Sequence, residues 1–332
     1  MKILIAEDEL VSRKKLEILI KSIGYEPLVA SDGEEGWNLW KTHRPRMVLT
    51  DWMMPGLSGP ELCKKIRNAE GSRYTYLIIV TAKHDTKDIV RGIDQGADDF
   101  ISKPYVKEEI EVRIRAGERV IGYEVRDLVI FSLAKLAESR DPETGNHLER
   151  MRYYSRALTE AIRGMENTPE EIDAFYVENI FLSSPLHDIG KIGIPDFVLL
   201  KPGHFDDNEF EIMKGHSRIG FETLNEAINK YPKAEFLKMS ADIAHYHHEK
   251  YDGSGYPDGL SGENIPLSAR IVALADAYDA LVSRRVYKQA VAHEMAKSII
   301  LREKGTHFDP MVVDAFLICE NEFIQIRNRF KE

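Results

Sequence analysis

Five short apolar runs near the start of the chain, each followed by a helical pattern, restrict its fold more than any other feature. They are KILIA at 2–6, EPLVA at 26–30, MVLT at 47–50, LIIVT at 77–81 and DDFIS at 98–102. Amphipathic stretches separate them; the first carries Leu10, Leu16, Leu19 and Ile20. Apolar strands alternating with helices predict a parallel sheet covered on both faces, from Met1 to about Tyr105. In such sheets ligands bind at the carboxyl ends of the strands.

Those ends carry Glu7 and Asp8, then Asp51, Thr81 and Lys103. Crowded carboxylates repel one another unless a hard cation such as Mg²⁺ lies among them. An aspartate there can become an acyl phosphate. Thr81 can donate to phosphoryl oxygens, beside which the small Ala82 leaves room, and Lys103 supplies counter-charge. Singly, each carboxylate would also suit a helix N-cap.

From about Val125 onward strand alternation stops, and helical patterns are cut by Pro169, Pro195, Pro202, Pro232, Pro257, Pro266 and Pro310. This predicts an all-α second domain, and 332 residues suffice for two domains. Its histidines recur beside carboxylates: Glu143 and His147, His187 and Asp188, His216, then His245, His247 and His248 with Glu249, and finally Asp276 with Asp279. In HDIGKIGIPD, from His187, helical spacing would place His187, Asp188 and Lys191 on one pocket wall, where imidazole and carboxylate suit a divalent metal and the ammonium suits an anion. A capped helix end with a surface His–Asp pair would show the same residues. Adjacent His247 and His248 diverge along a helix and both serve only in a multinuclear site. One tetrahedral zinc needs three or four ligands; the set is better absorbed by two or three ions sharing a carboxylate such as Asp188. No cysteine lies near any histidine, which favours iron, or manganese, over zinc.

The formal charge of −10 argues against general nucleic-acid binding, and no basic recognition helix points to DNA. Cys63 and Cys319 form no disulfide framework, and no apolar run approaches a membrane span, so a cytoplasmic protein is expected.

AEDE, DWMMPGLSG from Asp51, VTA ending at Ala82, and GADDFISKP resemble the receiver domain of two-component response regulators over about the first 120 residues. The resemblance implies a flavodoxin-like fold with Asp51 as phosphoacceptor and Glu7, Asp8 and Asp51 around Mg²⁺. It further implies Thr81, Phe100 and Lys103 as the switch set and a cognate histidine kinase as partner. ESRDPETGNHLER from 138, HDIGKIGIPD from 187, HSRIG from 216, HHEKYDGSGYPDGL from 247, IPLSARIVALADAYDAL from 265 and GTHFDP from 305 are similar to the HD-GYP branch of the HD phosphohydrolases, known as cyclic di-GMP phosphodiesterases. That resemblance spans about 125–325. It implies a metal set of Glu143, His147, His187, Asp188, His216, His247, His248 and Asp276, with Asp188 bridging and Glu143 serving a third ion. Lys191, Arg285 and Lys288 become phosphate contacts, Tyr256 a substrate contact, and Gly255, Tyr256 and Pro257 the loop naming the family. Val286 stands where the family usually has proline, which releases a fixed φ.

Between the two parts, Ile110, Ile114, Ile121, Val125 and Leu128 recur at heptad-like spacing with Gly117 in the series. Two readings follow for the 105–135 helix: a coiled coil joining two chains as a homodimer, or packing on the second domain. Gly117 and Gly122 mark an expected hinge. The domains expected are a receiver over 1–120 with a helical linker to about 135, and an HD-GYP domain over 125–332.

Two ions about 3.5–4 Å apart are suited to activating water and clamping the oxygens of a phosphodiester. Asp188 and Lys191 would stand at the chemistry. Asp279 would transfer a proton, orient a ligand, or lie on a helix surface. The expected function is a response regulator whose output is metal-dependent hydrolysis of cyclic di-GMP to pGpG and/or GMP, controlled by phosphorylation of Asp51. The competing readings are a catalytically weak receptor for the dinucleotide and an HD phosphohydrolase acting on other nucleotides.

Overall fold

The computed structural model describes residues 1–71, 73–82, 86–140, 146–283 and 290–331, with the side chains of 86–88 and 123–124 left aside. Glu143, Arg285, Val286 and Lys288 lie outside the described residues. The chain divides into two compact units, Met1–Asp127 and Leu128–Glu332.

In the first unit β1 (Lys2–Ala6), α1 (Leu10–Ser22), β2 (Glu26–Ala30), α2 (Gly33–His43), β3 (Met47–Asp51), α3 (Gly59–Arg67), β4 (Tyr76–Thr81), α4 (Thr86–Asp94) and β5 (Asp99–Ser102) alternate. The strands form one parallel sheet in the order β2-β1-β3-β4-β5. Side chains on a strand point alternately to the two faces. Ile3, Ile5, Leu49, Ile78 and Val80 therefore pack with Leu16, Leu19 and Ile20 on one side. On the other, Leu4, Val48, Leu77 and Ile79 pack with Trp40, Leu62, Cys63 and Ile66. Both faces are dry, as the apolar runs require.

The next helix, α5 (Lys107–Glu138), is 32 residues long. Its early apolar residues are not a free seam: Ile110 and Ile114 are fully buried against the sheet, and Ile121 packs on the same cluster. Val125 and Leu128 remain exposed. Gly117 is a packing site rather than a hinge, since a Cβ there would lie 2.5 Å from Tyr76 Cδ1 and 2.6 Å from Met47 Cε.

The second unit is helical: α6 (His147–Arg163), α7 (Ala174–Ser183), α8 (Asp196–Leu199), α9 (Asp207–Lys230), α10 (Glu235–Tyr246), α11 (Leu267–Val282), α12 (His293–Arg302) and α13 (Pro310–Arg329). α11 is apolar nearly all round, which marks a helix at the centre of a bundle. Ile271, Val272, Leu274, Ala275 and Tyr278 are all buried on it, in one core with Met151, Tyr154, Phe316 and Phe323. Tyr154 and Phe323 stack with centroids 4.4 Å apart. Among the described residues no helix is long and apolar enough to cross a membrane.

The HDIGKIGIPD stretch departs from the expected α-helix. Two 3₁₀ turns, Ser184–Leu186 just before it and Ile189–Gly193 within it, flank Asp188, which stands at φ −100°, ψ 12°. Pro185 lacks an N–H for a longer helix, and Gly190 lies against the backbone of α9. A Cβ on Gly190 would come within 1.9 Å of the His216 carbonyl oxygen. The tight turn lets Asp188 reach candidate metal-ligand side chains brought by two other segments, α9 and the residues following α10.

Candidate metal centre

His147, at the first turn of α6, His187 in the 3₁₀ region and Asp276 in α11 bring one ligand atom each within 4.8 Å of one another. Asp188, His216 from α9, and His247 and His248 at the end of α10 form a second such group. The histidine pair following α10 does not diverge as expected: the two rings lie 3.9 Å apart between centroids, and both offer a ligand atom to this one group.

Hydrogen bonds fix the rings. Nδ1 of His187 meets the Ser184 carbonyl at 2.9 Å, that of His216 the Met213 carbonyl at 2.6 Å, and that of His247 the Ile243 carbonyl at 2.9 Å. His147 Nδ1 meets Asp279 Oδ2 at 2.8 Å. An Nδ1–H donated to oxygen leaves the Nε2 lone pair for a metal. The Nε2 atoms of His147 and His187 face each other at 3.4 Å. In that tautomer neither ring donates to the other, so the contact needs a proton or a metal cation between the two nitrogens.

Asp188 spans the two groups. Its Oδ2 lies 3.3 Å from His187 Nε2, while its Oδ1 lies 3.3 Å from His216 Nε2 and 3.8 Å from His247 Nε2. His147 Nε2 is 3.9 Å from Asp276 Oδ1. Ligand atoms sharing an ion at roughly 2.1 Å stand roughly 3.0 to 4.2 Å apart, so these separations fit ions held between the side chains. The buried Asp188 Oδ1 and His247 Nε2 have no hydrogen-bond partner among the described residues. Leaving buried polar atoms unsatisfied costs about 1–3 kcal/mol each, which a bound cation would remove.

Burial opposes the His187 imidazolium, but the adjacent Asp188 carboxylate outweighs it and pushes the ring up to about 9. Burial, with His187 close by, takes His247 down to about 3. Asp188 is also penalised by burial, yet Lys191 and His187 hold its carboxyl well below the ordinary range. The centre therefore presents an ionised Asp188 and neutral imidazoles on the His216–His247–His248 side, the protonation states metal ligands need.

Lys191 Nζ lies 2.8 Å from Asp188 Oδ2, at the edge of the centre. The Tyr256 ring stacks on His248, with centroids 4.7 Å apart, and Phe210 meets Tyr256 edge-on at 6.2 Å. Asp279 is not a helix-surface carboxylate: it is buried and binds Arg150 Nε at 2.6 Å as well as His147. Burial raises its carboxyl, but hydrogen bonds from His147 and Arg150 bring it down to about 2. Arg150 was missed by spacing arguments. A charged residue one turn after His147, on the buried face of α6, was the available signal. Glu249, buried, was named only as a neighbour of the histidines; its Oε1 accepts the N–H groups of Asp258 and Gly259 and so ties down the loop bearing Tyr256.

In the first unit Glu7, Asp8 and Asp51 bring ligand atoms within 4.8 Å of one another. Lys103 Nζ reaches Asp51 Oδ1 at 2.5 Å and Glu7 Oε2 at 2.7 Å. Burial, reinforced by Asp51, lifts the Glu7 carboxyl despite Lys103, so this pocket too is short of positive charge. Thr81 is buried at the end of β4, and the Phe100 ring lies 6.3 Å from that of Trp52.

An acidic pocket at the carboxyl end of a five-stranded parallel sheet, joined to a helical unit with a histidine–carboxylate cluster, defines a receiver coupled to a metal-dependent hydrolase. Residues 3–115 match the response regulator receiver domain family, and residues 132–312 the HD domain family. The chain is 40% identical to a probable cyclic di-GMP phosphodiesterase of Vibrio cholerae serotype O1, over 93% of this chain and 75% of that protein. It is 36% identical to a cyclic di-GMP phosphodiesterase of Thermotoga maritima, over 100% and 94% of the two chains. With the cyclic di-GMP phosphodiesterase response regulator RpfG of Xanthomonas campestris it shares 35% identity over 99% and 90%. The chain belongs to this family of response regulators, in which an HD domain follows a receiver domain.

Proposed function

We propose that the chain hydrolyses cyclic di-GMP to pGpG and/or GMP, and that phosphorylation of Asp51 by a histidine kinase controls the reaction. The observation that carries this reading is Asp188, whose two oxygens face two separate sets of imidazoles. His147, His187 and Asp276 would hold one ion, and His216, His247 and His248 the other, with Asp188 shared. Imidazole and carboxylate donors without thiolate favour iron, or manganese, over zinc. Bound ions would supply Lewis acidity and an activated water.

The chain's own residues do the rest. Asp279 and Arg150 hold the His147 ring in place. Lys191 places an ammonium where a phosphodiester meets Asp188, and Tyr256 presents an aromatic edge of the pocket for a nucleobase. Glu143, Arg285 and Lys288 complete the proposed set from outside the described residues. In the first unit Glu7, Asp8 and Asp51 would hold Mg²⁺, and Lys103 would move from Asp51 onto an incoming phosphoryl group.

Protein purified without oxygen and offered cyclic di-GMP, 3′3′-cGAMP and ordinary nucleotides is expected to hydrolyse the first fastest. Binding of cyclic di-GMP without turnover in fully metal-loaded protein would overturn the enzymatic reading, and full activity with zinc alone would overturn the preference for iron. Asp51→Asn is expected to abolish phosphoryl uptake from a small-molecule phosphodonor, read by intact mass; unchanged uptake would move the phosphoacceptor elsewhere.

A further inference from the structure

Glu138, the last residue of α5, is a buried carboxylate that the metal set above leaves unused. Its side chain is nine-tenths buried, at 10% exposure. It lines one cavity with His147, His187, Asp188 and Lys191. Lys135 Nζ reaches its Oε2 at 3.4 Å, whereas its Oε1 is buried without a hydrogen-bond partner among the described residues. Leaving a carboxylate oxygen dry is strongly unfavourable unless a cation offsets it. Arg140, two residues on, binds the carbonyls of Ile192 and Ile194 and the carboxylate of Asp196, which fastens this end of α5 to the segment following Asp188.

We infer that Glu138 is a further acidic residue of the metal centre: it stands outside the group formed by His147, His187 and Asp276, and its unpartnered oxygen would hold a water on the ion those three share. The inference rests on the metal reading of that pocket and not on the identity of the substrate. A hard, oxygen-preferring cation with two imidazoles and two carboxylates around it, Asp188 included, still has room for such a water.

Metal-stripped full-length protein can be titrated with Mn²⁺ and binding followed directly by its electron paramagnetic signal. Glu138→Gln is expected to weaken one Mn²⁺ position about 10- to 100-fold while the other keeps its affinity. Glu138→Asp is expected to recover part of the loss, since the charge is kept. Lys135→Ala, which removes the ammonium beside Glu138, is expected to bind Mn²⁺ like the wild type. Wild-type Mn²⁺ binding by Glu138→Gln, or an equal loss in Lys135→Ala, would overturn the inference. His187→Ala separates the levels: if it loses a Mn²⁺ and Glu138→Gln does not, only the role of Glu138 fails. If His187→Ala also binds two Mn²⁺ unchanged, the metal reading fails with it.

Discussion

Asp188→Asn is expected to lower the metal content to at most one ion per chain and to reduce cyclic di-GMP hydrolysis at least ~10²-fold. The substitution keeps the size of the side chain and replaces one anionic oxygen by an amide that donates rather than accepts. The two oxygens face different imidazoles, one 3.3 Å from His187 Nε2 and the other 3.3 Å from His216 Nε2. An asparagine can serve one side only, and its N–H₂ would face a ring nitrogen or an ion on the other. Elemental analysis of anaerobic protein gives the ion count, and product release gives the rate. Two ions per chain with a rate within a few-fold of wild type would remove Asp188 from the role of bridge.

Arg150→Met is expected to destabilise the helical unit by ~3–5 kcal/mol, the scale for removing one partner of a buried ion pair. Methionine keeps much of the apolar stem, so the loss reports the charge. Arg150 and Asp279 are both buried, with Arg150 Nε 2.6 Å and Nη2 3.0 Å from the carboxylate. Arg150 also donates to the Phe330 carbonyl at 3.2 Å, tying α6 to the end of α13. Without the guanidinium, Asp279 depends on His147 alone, which both strains the fold and loosens the ring that should hold a metal. Denaturant unfolding measures the first effect. A change below ~1 kcal/mol would show that the pair is not structural.

Much of the first unit was legible in the sequence because its strands are apolar on both faces and its helices are amphipathic, so two periods alternate cleanly. The carboxylates at the strand ends were legible for the same reason, since strand direction decides where Glu7, Asp8 and Asp51 emerge. The ligand histidines could be named from their motifs, but not their arrangement. Nothing in local spacing tells that His147 meets Asp279, 132 positions away, or that Asp188 divides its oxygens between two groups. The 3₁₀ geometry around Asp188 was hidden because it follows from a close approach of Gly190 to the backbone at His216, a tertiary contact. Gly117 misled in the same way: read locally it weakens a helix, while in the fold its missing side chain admits Tyr76 and Met47. Glu138 was hidden as well, because a glutamate at a helix end is ordinary until its surroundings are known.

The most direct test is turnover of cyclic di-GMP by full-length protein loaded with iron or manganese without oxygen, beside a His187→Ala, Asp188→Ala double variant treated identically. The wild type is expected to release pGpG or GMP, and the variant, folded by circular dichroism, to release neither. Undiminished hydrolysis by the double variant, or no product from wild type shown to carry its metals, would contradict the account.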